Sequence, residues 1–224
     1  VLEAWLVIVG STFGALLPIT NPFSAAPVFV TVTEGFGKQR RQHQAWLAAL
    51  YMASVLLGAL FAGALILEFF GIGVPVMRIA GGMIILRVGL GMVNPKPEQQ
   101  LSDAGKEEAI EMPDVAFTPI AMPLLSGPGS IAVTITMATS AGSLPDYMAI
   151  AVGILLVSLF AWVILRSSIP LVAVMSETGM NVFTRLMGFI LVSMAIQFIV
   201  TGIFQALSDP ELVRPVVEAF RTVA

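Results

Sequence analysis

The chain has 224 residues, of which 57% are hydrophobic and 11% charged, with a net charge of −3 and no cysteine. A soluble domain carries about 25% charged residues, so this composition predicts a polytopic all-α membrane protein seated in a lipid bilayer. The missing cysteine excludes thiol chemistry, disulfides and Cys-ligated metal, and the lack of a long basic block argues against nucleic acid as a partner.

Six transmembrane segments are predicted, each long enough for a hydrocarbon core of about 30 Å. Segment 1 runs from about Ala4 to Thr33. No basic region precedes it, so a cleaved signal peptide is not expected there. Within it lies Pro18–Thr33, which carries three prolines and a run of small polar side chains. A proline inside a helix removes a backbone donor and clashes with the preceding turn. The residue before it is pushed out of the α region. Asn21-Pro22 therefore reads as a new helix start, with Asn21 as N-cap and Pro22 at the first helical position. A polar turn follows over Glu34–Gln44, holding Lys38, Arg40, Arg41 and His43, the last of these expected to be solvated. Segment 2 covers roughly Ala45–Phe70 and contains Gly58, Ala59, Ala62 and Gly63, a small-residue face suited to close helix contact. Segment 3 runs from about Val76 to Val93.

The acidic loop Asn94–Asp114 separates two halves. Segment 4, about Val115–Ala141, is interrupted by Ser126-Gly127-Pro128-Gly129. Segment 5 covers about Tyr147–Leu165, a connection holds the short apolar piece Leu171–Met175, and segment 6 covers about Val182–Leu207. The tail Pro210–Ala224 reads as a short surface helix.

The second break repeats the first. Placing Pro128 on Pro22 gives an offset of 106 residues and brings Ser130 onto Ser24 and Gly127 onto Asn21. Arg78-Ile-Ala-Gly81 resembles Arg185-Leu-Met-Gly188 at an offset of 107. The chain thus divides into repeats at 1–93 and 115–207, a linker at 94–114 and a tail at 208–224. Three crossings per repeat make the second half inverted, the pattern of many secondary transporters. Lys/Arg placement favours both termini outside, with Lys38, Arg40, Arg41, Lys96, Lys106 and Arg166 in inside loops, although Arg214 and Arg221 then follow segment 6 on the outside. A counter-reading makes segments 1 and 4 re-entrant hairpins, leaving four crossings and a parallel repeat.

Broken segments 1 and 4 would place two helix N-termini at mid-membrane, where free N–H groups and dipole ends favour an anionic group. Thr20, Asn21, Pro22 and Ser24 surround the first break, and Ser126, Gly127, Pro128, Gly129 and Ser130 the second. These small, neutral, polar residues suit a small zwitterion, and Gly129 is expected to let it approach the backbone. The alternative is that Pro and Gly only kink packed helices while Ser and Thr bond back to carbonyls. Arg78 and Arg185 either snorkel to the interface or act as gates. Gln197 and Gln205 are expected to bond between helices, with cavity lining as the alternative. No Asp or Glu falls near the centre of a segment, so no buried proton relay is evident. No cofactor is implied, and a coupling ion would more naturally be Na⁺ held by carbonyls and hydroxyls.

Asn21-Pro22-Phe23-Ser24-Ala25-Ala26-Pro27-Val28-Phe29, with Thr31 and Thr33, resembles the Asn-Pro-hydrophobic-x-x-x-Pro motif of the MarC family. Pro123-Leu124-Leu125-Ser126-Gly127-Pro128-Gly129-Ser130-Ile131 resembles that family's second motif, and the two Arg-containing stretches also fit. The resemblance covers Leu6 to about Ala206. It implies a prokaryotic inner-membrane protein with six segments, and a transporter of small neutral amino acids such as glycine and alanine. Phe23-Ser24 departs from the Ile-Gly often found there, which implies a narrowed site or changed preference. A passive channel for small polar solutes and a non-transport membrane factor are the competing readings. An enzyme is disfavoured, because the sole histidine lies in a loop and no carboxylate pair is buried.

Overall fold

The computed structural model describes residues 2–94, 115–175 and 177–208. The helices in chain order are α1 (Leu2–Thr20), α2 (Pro22–Val32), α3 (Lys38–Phe69), α4 (Val74–Val93), α5 (Ala116–Leu125), α6 (Pro128–Ser140), α7 (Leu144–Arg166), α8 (Ser168–Val174) and α9 (Glu177–Ser208). Five are long and apolar enough to cross a membrane, and α5 with α6, bent by 61° at their junction, can form a sixth span. The protein is therefore an all-α, multi-spanning membrane protein. The outward surface agrees: Leu65, Phe69, Leu144, Phe189 and Phe204 are largely exposed, as side chains facing lipid would be. Most of the expected linker and all of the expected tail helix lie outside the described residues.

Aromatic contacts fix the direction of the central pair. Trp46 meets Trp162 edge-on at 5.9 Å, and Phe61 stacks on Tyr147 at 6.4 Å. The start of α3 thus lies by the end of α7, and the two helices run antiparallel. Lys38 and Asp146, which open these helices, mark opposite ends of the molecule. Helices α4 and α9 are antiparallel too: Gly202 packs on Pro75 and Arg78, Gly82 on Ala195 and Ile199, and Gly188 on Gly89 and Met92.

In that frame α1 runs alongside α7, with Gly153 against Thr12 and Val9, and Phe13 against Phe160. It begins at the Asp146 end. Helix α2 finishes at the Lys38 end, where Arg41 in the first turns of α3 donates from Nε to Thr33 Oγ1 and from Nη2 to the Thr33 carbonyl, both at 3.1 Å. Helix α5 meets α3 where Phe117 touches Tyr51, while α6 meets it further along, at Gly63 and Ile135, and ends beside Asp146. Each broken pair thus advances from one end of the molecule toward the other.

Two expectations need correction. Of the small-residue face on segment 2, Gly58 and Ala62 are exposed, and a Cβ on Gly58 would meet nothing within 4 Å. Only Gly63 is pressed closely, because five residues of helix turn it well away from Gly58. Gln197 lines a cavity rather than bonding between helices: its Nε2 donates to Thr201 one turn on, at 3.0 Å. Gln205 is exposed.

Candidate functional site

The first break rests on one residue. Asn21 adopts the left-handed conformation (φ 32°, ψ 67°), which its short side chain tolerates better than most. Its Oδ1 accepts from the Ser24 backbone N–H at 3.3 Å, and its Nδ2 donates to Ser24 Oγ at 2.6 Å. Pro22 opens the new helix without wasting a donor. Ser24 Oγ continues to Thr184 Oγ1 on α9 at 2.8 Å. Phe23 packs on Phe183 at 4.5 Å and Phe160 at 5.8 Å. This cluster ties α2 to α7 and α9.

The second break is more open in its bonding. Thr118 and Met122 are extended, each preceding a proline. Ser126 and Gly127 leave the helix, and α6 restarts with Pro128. The first helical bond of α6 runs from Ile131 N–H to the Gly127 carbonyl at 3.2 Å. The N–H groups of Gly129 and Ser130 precede it and have no intrahelical acceptor. Ser130 Oγ donates to the Leu125 carbonyl freed by the break, at 3.2 Å. Ser126 Oγ is fully buried and has no hydrogen-bond partner. A buried hydroxyl left unpaired costs about 1–3 kcal/mol.

The two breaks are neighbours. A Cβ on Gly129 would lie 3.4 Å from Ile19 Cγ2 and 3.7 Å from Ile85 Cγ1. Ile19 precedes the first break and Gly129 follows the second. The space beside Gly129 is thus taken by these two side chains. Thr20, Asn21, Pro22, Ser126, Gly129 and Ser130 are buried, Ser24 and Gly127 half-buried, and Pro128 exposed. Thr20 Oγ1 donates to the Leu17 carbonyl at 3.3 Å, the back-bonding expected of a helical threonine.

A cleft of about 400 Å³ opens at the Asp146 end among α1, α4, α6, α7 and α9. Arg78 lines it and donates from Nη2 to Ser140 Oγ at 2.6 Å, while its Nε is buried without a partner. Arg185 is exposed on α9 and is not among the cleft residues. Asp146, Thr12 and Thr136 also line the cleft, and nothing in their local sequence marks them for a role. They come from three distant stretches, and each looks local: Thr12 and Thr136 donate to carbonyls four residues back, and Asp146 Oδ2 accepts from Gly142 N–H at 3.0 Å. Among the described residues no group of three or more His, Cys, Asp or Glu side chains converges.

Residues 6–207 match the model of the MarC family of integral membrane proteins. The chain belongs to the MarC family. It is 33% identical over 208 residues to the UPF0056 inner membrane protein MarC of Salmonella typhimurium, covering 88% of this chain and 94% of that one. It is 36% identical over 195 residues to a UPF0056 membrane protein of Methanocaldococcus jannaschii, covering 87% and 95%. The same 33% over 208 residues is found with MarC of Citrobacter koseri. No solved structure matches. The MarC match spans both breaks and the cleft.

Proposed function

We propose that this MarC-family chain is a secondary transporter of small neutral amino acids, with glycine- and alanine-like zwitterions held at the paired breaks. The observation that carries it is the burial of two helix breaks, one from each half, against each other inside the protein. Discontinuous helices in corresponding positions are the usual construction of a transporter site. The antiparallel course of α3 with α7 and of α4 with α9 supports two inverted three-helix repeats. The packing supports it as well: α1 lies on α7 as α5 lies on α3, and α6 lies on α3 as α2 lies on α7. The 13 residues of α6 and the 11 of α2 span about 20 and 16 Å on leaving the breaks for opposite ends, which favours breaks at mid-depth.

At the second break the Gly129 and Ser130 N–H groups would receive the substrate carboxylate, with Ser126 Oγ beside them. Freed carbonyls such as that of Thr20 would accept from the ammonium or hold a coupling Na⁺. An open cleft at the Asp146 end, against the Ser24–Thr184 tie at α2, favours a carrier over an open channel. The proposed setting is the inner membrane of a prokaryote, which the names of the bacterial relatives support, with both termini outside, which the Lys/Arg distribution favours. No enzymatic step is assigned.

Ser126→Ala tests the site. The hydroxyl has no partner in the fold, so its removal should leave thermal stability unchanged or raised. Uptake of labelled alanine into proteoliposomes should fall roughly three- to tenfold through the loss of one hydrogen bond. Unchanged uptake by the stable variant would remove the second break from the substrate site.

A further inference from the structure

The cleft at the Asp146 end has its own chemistry. Among its lining residues Arg78 is the one cation and Asp146 the one carboxylate, so the charges of the wall cancel. Four of its five hydroxyls are committed in one direction, while Thr201 Oγ1 accepts from Gln197 Nε2 at 3.0 Å. Ser11 and Thr12 both donate to the Ile8 carbonyl, Thr136 donates to Ala132, and Ser140 donates to Thr136. A hydroxyl that has given away its proton presents only lone pairs. The wall therefore presents acceptors at these four hydroxyls, and although Gln197 and Thr201 add neutral donors, its one charged donor is the Arg78 guanidinium. That group spends Nη2 on Ser140 and keeps a buried Nε–H unused. One Asp146 oxygen accepts from Gly142, leaving the other for a ligand.

We propose that this cleft is an outer recognition site for a zwitterion, distinct from the breaks. Arg78 binds the carboxylate, and Asp146 with the acceptor-rich wall binds the ammonium. The fork of an arginine matches a carboxylate, and three ammonium N–H donors match a wall of acceptors. The volume falls at the lower end of small-molecule sites. A ligand of net charge would leave one charge uncompensated in the cleft, so the site selects neutral amino acids. In calling its ligand the transported substrate, the assignment rests on the transport reading. Thr136 and the second break share helix α6, with Gly129 seven residues or about 10 Å deeper. A molecule bound at Arg78 is thus poised one short step from the break.

The chain has no cysteine, so Thr201→Cys introduces a single thiol into the cleft wall. Its modification by a methanethiosulfonate reagent reports occupancy of the cleft directly. Three probes separate the charges: alanine, propionate with only the carboxylate, and ethylamine with only the ammonium. Alanine should protect the thiol. Adding Arg78→Gln should raise the half-protecting concentration of alanine and propionate about tenfold or more, while ethylamine stays within about twofold. Asp146→Asn should do the reverse, weakening alanine and ethylamine and sparing propionate. Arg87→Gln, an exposed arginine on the same helix α4, should change nothing. Failure of alanine to protect, or equal shifts for all three probes, would overturn the assignment. The transport reading is judged separately by flux. The predicted protection pattern without alanine flux would remove transport alone, and alanine flux with protection unmoved by either variant would remove the outer site alone.

Discussion

Asn21 concentrates the logic of the first break in one side chain. It supplies a left-handed backbone, an acceptor for Ser24 N–H and a donor to Ser24 Oγ, which in turn reaches Thr184. Asn21→Ala removes the cap and imposes left-handed strain on a residue that resists it, so a loss of about 0.5–2 kcal/mol is expected. Asn21→Gly keeps the backbone conformation available and should cost less, since glycine adopts positive φ readily. Thermal melts of the two variants in detergent check this: a lower midpoint for alanine than for glycine is expected, and equal midpoints would show that the backbone conformation contributes nothing. This break was legible in the sequence because its signals are local, a proline and a left-handed-tolerant Asn side by side. The extended Thr118 and Met122 obey the same rule of the residue before proline. Their prolines stand in an apolar stretch with no Asn or Gly beside them, so the sequence predicts one helix down to Ser126.

At the scale of elements, glycine decides which helices touch. A Cβ on Gly188 would lie 2.8 Å from Met92 Cβ and 2.9 Å from the Gly89 carbonyl, with the backbone of Val93 equally close. Backbone atoms cannot step aside cheaply, so Gly188→Val should destabilise the α4–α9 pair by on the order of 1–3 kcal/mol. Gly58→Ala, on a lipid-facing surface, should leave the melting midpoint unchanged or slightly raised. A Gly188→Val protein as stable as Gly58→Ala would show that α4 and α9 do not pack in this way. The sequence could not rank these glycines. In a membrane protein the lipid-facing and protein-facing sides of a helix are both apolar, so Gly58-Ala62 and Gly89-Met92 look alike until a partner helix is placed. The same limit hid the cleft. Thr12, Thr136 and Asp146 are unremarkable in their own helices and acquire meaning only when five helices converge around Arg78.

At the scale of the whole molecule, two proline breaks and two Arg-containing stretches at matching offsets are the sequence signals that point to duplication. The direction of the second half was inferred from counting crossings. The coordinates bear on it through pairs of side chains, Trp46 with Trp162 and Phe61 with Tyr147. On the proposed function, this architecture carries amino acids by alternating access, open in this state at the Asp146 end and tied by Ser24 and Thr184 between α2 and α9. A counterflow experiment tests it most directly. Proteoliposomes loaded with unlabelled alanine are diluted into trace labelled alanine, and internal label is followed in time. A carrier predicts a transient accumulation of label above equilibrium, saturating with internal alanine and absent from empty liposomes. Label that only rises to equilibrium without overshoot, or that does not enter at all, would contradict the account.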